Sequence, residues 1–269
     1  MRRIYVVGTL ALFLLCGLRL QAEVSQSEQV QVGLPQMRVA EAPDKASSTE
    51  ALEQRGDELR ASKYYLDAVD FYRAALKKDS NNARLYNKAG IAELQMHHFD
   101  EAKQYFERSI KKDRNYDNAY NNLGVIYYHD KKYSKAISLY QKAIKITQDS
   151  ASFYSNLGTA YFAKKQFEEA MAAYSHAVQL DPDVFDRVSK NGVAGHIASP
   201  DDRARWDYVL AKLWAKAGDN DRCLEALRKA MEDGYKGIDE VYKDQEFAGM
   251  RKDPRFTALM ASRPLGIPE

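Results

Sequence analysis

The chain has 269 residues, 29% of them charged, with 40 Lys and Arg against 38 Asp and Glu and a formal net charge of +2. A balance this even excludes a polycation that finds nucleic acid or anionic lipid by charge alone. With 2 cysteines there is no disulfide framework, so stability has to come from packing.

Residues 1–22 read as a secretory signal: Arg2 and Arg3, an apolar run over residues 4–18, then Arg19 and the small Ala22. The run is shorter than the ~20 residues of a membrane span. An uncleaved anchor is therefore the lesser reading, and a lipid on Cys16 another, against the bulky Leu15 before it. Cleavage removes three arginines and no acid, which takes the charge from +2 to −1 and leaves Cys223 alone. Residues 23–46 are polar and without period, with Pro35 and Pro43 as breakers, and read as a flexible linker. Order is expected from Ser47-Ser48-Thr49-Glu50, which has capping-box spacing ahead of a helical run.

From there the chain repeats. Gly56, Gly90, Gly124 and Gly158 are spaced 34 residues apart, each inside a stretch otherwise suited to helix. A helical glycine costs about 1 kcal/mol relative to alanine. Twelve residues after each glycine stands a small residue (Ala68, Ala102, Ala136, Ala170), and four further on a ring (Tyr72, Phe106, Tyr140, Tyr174). The pattern predicts helical hairpins, their backbones brought close by the small residues and the space between hairpins filled by the rings. Four contiguous repeats follow at 49–82, 83–116, 117–150 and 151–184. Arg55 departs in the first repeat, as an end repeat facing water allows. Glu93 departs in the second, where Leu94 is expected to fill the gap. Pairs such as Lys77-Lys78 and Lys111-Lys112 suit the C-terminal ends of second helices.

After 184 the period breaks. A fifth repeat fits 204–237, with Leu210, Ala211, Trp214, Gly218, Cys223, Leu227 and Ala230 in place, beyond an insert at 185–203 that reads either as a loop or as an extension. Ser199-Pro200-Asp201-Asp202 predicts an overlong first helix starting at Pro200. Two short helical stretches over 238–262 are expected to cap the end of the stack, the second opening at Asp253-Pro254 and burying Phe256, Leu259 and Met260. Residues 263–269 are expected to fray.

The repeats resemble the tetratricopeptide repeat (TPR). Repeat three carries the resemblance with Tyr120, Leu123, Gly124, Tyr127, Tyr133, Ala136, Tyr140 and Ala143, and repeat four adds Phe167 and Pro182. The resemblance implies an all-α, right-handed superhelical solenoid with C-terminal capping helices. It also implies a binding scaffold and not an enzyme.

No metal-ligand spacing, glycine-rich phosphate cradle or nucleophile elbow is present, and adjacent His97 and His98 would point about 100° apart on a helix. No catalytic residue, cofactor, metal, nucleic acid or small-molecule substrate is expected. Binding is expected on an uncharged inner stripe of the first helices, which in this family resembles the lining of a concave groove. Its members are Asn87, Ile91 and Leu94 in repeat two, and Asn121, Asn122, Val125 and Tyr128 in repeat three. Repeat four supplies Ser155, Asn156, Thr159 and Phe162. Amides can pair with a peptide backbone without demanding charge, while the rings either face the groove or belong to the core. At the positions of the family's carboxylate clamp stand Asn87, Ile91, Asn122, Ser152 and Asn156; only Asn122 agrees, so that clamp is absent. The expected protein is an exported scaffold or assembly factor, periplasmic or secreted, holding a peptide or partner helix. The alternative is a homo-oligomer whose groove is filled by its own chain or a neighbour.

Overall fold

The computed structural model describes Arg38, residues 42–185 and residues 200–262. The signal, most of the linker, the interior of the insert and residues 263–269 lie outside the described residues. No helix among the described residues is long and apolar enough to cross a membrane. The chain divides into two compact units, one ending at Asp79 and one beginning at Ser80.

The first unit holds one helical hairpin, α1 (Thr49–Ala61) and α2 (Tyr65–Lys78). The cap falls one residue later than the capping-box spacing suggests: the Ser48 hydroxyl accepts from the Ala51 N–H at 3.1 Å. The second unit holds α3 (Ala83–Gln95) with α4 (Phe99–Lys112), α5 (Asp117–His129) with α6 (Tyr133–Ile146), and α7 (Ala151–Ala163) with α8 (Phe167–Leu180). A fourth hairpin, α9 (Pro200–Ala217) with α10 (Asn220–Glu232), follows the insert. The described residues contain no strand.

Every hairpin turns in the same way. Lys63, His97, Lys131 and Lys165 have φ between 59° and 65°, a left-handed conformation uncommon outside glycine. What holds them there is a pair of backbone bonds that satisfies the helix end. In repeat three, Lys132 N–H donates to Tyr127 O at 2.8 Å and Lys131 N–H to Tyr128 O at 2.9 Å. The fifth repeat uses Gly218 (φ 79°) for the same job.

The period-setting glycines are where the two helices of a hairpin touch. A Cβ on Gly90, Gly124 or Gly158 would lie 2.5–2.6 Å from the ring of Phe106, Tyr140 or Tyr174 in its own hairpin, and one on Gly56 equally close to Tyr72. The rings therefore sit on their own hairpin's glycine first, and are not merely filler between hairpins as expected. Tyr140 also joins a cluster with Leu157 and Ala160 of the next hairpin. Each ring is fully buried, which contributes roughly 1.5–3 kcal/mol against the glycine's ~1 kcal/mol.

Glu93 is buried and paired with His98, Oε2 to Nδ1 at 2.9 Å. A hydrogen-bonded carboxyl–imidazole pair thus fills the position, where Leu94 was expected to compensate; Leu94 packs beside it half-buried.

The period break is bridged by rings. Phe185, the first residue of the insert, is helical, buried and edge-on to Tyr174, Trp206 and Trp214 at 5.2–6.3 Å. Arg222 of α10 reaches back to Pro182 O and to Asp183, both at 2.6 Å, with its guanidinium over the Trp214 ring. The insert's last four residues, 200–203, open α9, which begins at Pro200 as the sequence predicts.

The capping region departs from expectation. Its first stretch is three 3-10 turns (Ile238–Tyr242, Gln245–Ala248, Met250–Lys252), and only α11 (Pro254–Ser262) is an α-helix. They seal the end nonetheless: Val241, Phe247, Met250, Phe256, Leu259 and Met260 join one core with Trp214 and Leu227. Asp244 ties the turns to α9, accepting from the Tyr208 hydroxyl at 2.8 Å and pairing with Lys212 at 3.2 Å.

Candidate functional site

Equivalent positions of α3, α5 and α7 place the expected inner stripe side by side. Four asparagines link across it. Asn156 Nδ2 donates to Asn121 Oδ1 at 2.9 Å, Asn121 Nδ2 to Asn122 Oδ1 at 3.1 Å, and Asn122 Nδ2 to Asn87 Oδ1 at 2.9 Å. The ladder spans three first helices and contains no charge. Asn87 and Asn121 are buried within it, while Asn122 and Asn156 are half-exposed. An amide carries two donors and an acceptor. Asn122 and Asn156 each donate only once within the ladder, so each keeps a second N–H for a ligand, and Asn156 keeps its oxygen. Ile91, Leu94, Val125 and Tyr128 flank the ladder half-buried.

Beyond Asn156, repeat four does not extend this surface as expected. Phe162 is 5% exposed and packs edge-on against Phe167 at 5.4 Å; Thr159 and Ser155 are each 1% exposed. Thr159 Oγ1 donates to Ser155 O at 2.9 Å and accepts from the Tyr174 hydroxyl at 3.2 Å, which in turn accepts from Trp206 Nε1 at 3.3 Å. These three residues are core, because α9 brings Trp206 and Tyr208 onto repeat four. Tyr128, at the same repeat position as Phe162, stays half-exposed, 5.3 Å from the Tyr133 ring. Burial raises its hydroxyl's pKa, helped by Tyr174, Tyr133 and Asp202 of α9.

A pairing beneath the stripe escaped the sequence reading. In repeats one and four the ninth position meets the ring hydroxyl of the same hairpin. Tyr72 donates to Asp57 at 2.7 Å and Tyr174 to Thr159, whereas repeat two sets Ile91 against a phenylalanine, Phe106. The signal was available as covariation at fixed spacing within one chain. Repeat three breaks it with Val125 and Tyr140, and the Tyr140 hydroxyl is buried without a hydrogen bond to any described residue. Burial raises the pKa of that hydroxyl, as does the neighbouring Tyr128.

Among the described residues, no group of three or more His, Cys, Asp or Glu is arranged to hold a metal ion. The Cys223 thiol is buried, and burial, with Asp219 nearby, pushes its pKa up to about 12, so it is inert at neutral pH.

Two family models, both described as tetratricopeptide repeat, match residues 87–151 and 151–184. No curated protein matches the sequence. Among solved structures the chain is similar to MamA, at 20% identity over 73% of this chain and 95% of that one, with a TM-score of 0.48. It is also similar to YrrB, described as a TPR protein with an unusual peptide-binding site, at 20% identity over 75% and 90% of the two chains (TM-score 0.46). A thermophilic TPR protein of Thermus thermophilus matches at 17% identity over 80% of this chain and 100% of that one (TM-score 0.49).

Proposed function

Residues 87–184 of this chain are tetratricopeptide repeats, and from that premise we propose that the protein is a non-catalytic scaffold or assembly factor holding a peptide or partner helix on its inner stripe. The asparagine ladder carries this reading. A row of linked amides with donors left over suits a backbone's alternating N–H and C=O groups, and Ile91, Leu94, Val125 and Tyr128 supply apolar contact beside it. The binding set is then Asn87, Asn121, Asn122 and Asn156 with those four residues; Ser155, Thr159 and Phe162 support it from the core.

The test is a random-peptide display library panned on the full chain, with the enriched peptides titrated against variants. Asn122→Ala should cost about 1–3 kcal/mol of affinity by leaving a desolvated backbone group unpaired. Tyr128→Ala should cost ~2 kcal/mol or more, since such rings often anchor interfaces. Affinity should hardly change as the Debye length falls from ~10 Å to ~3 Å between 0.1 M and 1 M salt. Two folded variants that bind every enriched peptide as the wild type does would remove the stripe from consideration.

The protein is also proposed to be exported, to the periplasm or beyond the cell, because the basic head and short apolar run precede the polar linker. Mass spectrometry of protein from the native envelope should find a chain beginning near Glu23. An intact N-terminus would point instead to an anchor, and a lipid on Cys16 to a lipoprotein.

A further inference from the structure

The outer edge of repeat three breaks a rule that its sister repeats obey. The first turn of the second helix carries an acid at one register position in repeats one, two and four: Asp67, Glu101 and Glu169. A negative charge is favoured there by the exposed N–H groups and the helix dipole. Repeat three has Lys135 at that position, and no acid anywhere in α6.

The misplaced lysine is not alone. The Nζ atoms of Lys103, Lys135 and Lys132 lie 5.3, 5.4 and 5.9 Å from the centroid of one ring, Tyr127. Lys103 comes from α4, Tyr127 from α5, Lys132 from the turn and Lys135 from α6, so the cluster joins repeats two and three. Lys132 pairs with Asp130 at 2.9 Å, but Lys103 and Lys135 make no ion pair with any described residue. Elsewhere in this unit, Lys212 is held by Asp244 and Glu246 and Arg222 by Asp183. Gathering like charges against a helix dipole opposes folding, and local rules broken without a gain in the fold mark functional surfaces.

We propose that this edge docks an acidic segment of a partner protein, an extended run of Asp or Glu whose carboxylates lodge among Lys103, Lys132 and Lys135. Charge complementarity is the recognition chemistry, and Tyr127 sets the spacing of the cations. The site is separate from the amide ladder, so either can fail without the other.

The probe is a fluorescein-labelled deca-glutamate peptide, read by anisotropy against the full chain. The wild type should bind it at low salt and release it at about 0.5 M salt. The triple variant Lys103→Gln, Lys132→Gln, Lys135→Gln should bind at least about tenfold more weakly, with unchanged circular dichroism. A charge-matched control, Lys77→Gln, Lys78→Gln, Lys111→Gln, should stay within about twofold of wild type. No binding by the wild type, or an equal loss in the control, would overturn the proposal. So would phosphatidylglycerol vesicles that depend on the same three lysines and bind where the peptide does not.

Discussion

Gly124→Leu is expected to lower the unfolding free energy by about 3 kcal/mol, at the upper end of what overpacking a core usually costs. A Cβ at that position would stand 2.5 Å from Cε1 of Tyr140, 2.8 Å from Cδ1 and 3.0 Å from Cζ. The ring has nowhere to go: it is fully buried, with Ala136, Ala160 and Leu157 in its cluster. The hairpin must open or the ring must leave its rotamer. The exposed Lys164→Leu, by contrast, should stay within ~0.5 kcal/mol of wild type. Urea or thermal melts would separate the two, the first by roughly 6–12 °C for a domain of this size. Equal midpoints would mean that the hairpin's closest contact lies elsewhere. A double-mutant cycle sharpens the point. The cost of Gly124→Ala should shrink in a Tyr140→Leu background, because the clash needs both partners.

That contact was legible in the sequence because the period does the alignment. Four glycines and four rings at one spacing identify each other's partners, and the repeat starts at 49, 83, 117 and 151 are where α1, α3, α5 and α7 begin. What the sequence hid were features that depend on packing from outside the repeat. Tyr128 and Phe162 occupy the same repeat position, yet only Phe162 is sealed. The difference is made by α9, whose approach follows an insert of no period and places Trp206 and Tyr208 on repeat four. The ladder was half visible: the asparagines stood out as an uncharged row, but which amide meets which depends on the stagger between neighbouring first helices. Local chemistry decided smaller matters. Ser47 and Ser48 are both able caps, and only the backbone distinguishes them. The helical stretch expected after Gly237 breaks into 3-10 turns, with Gly249 between the last two.

Asp207→Asn is expected to leave stability unchanged near pH 4 and to raise it by about 1–3 kcal/mol near pH 8. Asp207 lies on α9 at 7% exposure and makes no hydrogen bond with any described residue. Burial first, and then Asp233 at the end of α10, push its carboxyl up to about 7, against the weaker opposing pull of Lys229 and Arg203. The unfolded chain releases this proton near pH 4, while the folded chain keeps it until about pH 7. Between those values the folded state binds more protons, so each step up in pH costs stability, and above about pH 7 the loss is complete. A shift of this size corresponds to ~4 kcal/mol at most, reduced here because the carboxyl is not wholly shielded from water. Glu225 and Asp253, whose carboxyls are held low by Lys229 and Arg255, contribute in the opposite sense at acid pH. They are the same in both proteins and cancel in the comparison. Asparagine keeps the shape and removes the charge, so urea melts of the two proteins should converge at acid pH and part steadily through neutrality. Curves that stay parallel from acid to alkaline pH would show that Asp207 is ionised in the folded protein, and that α9 and α10 tolerate its charge beside Asp233.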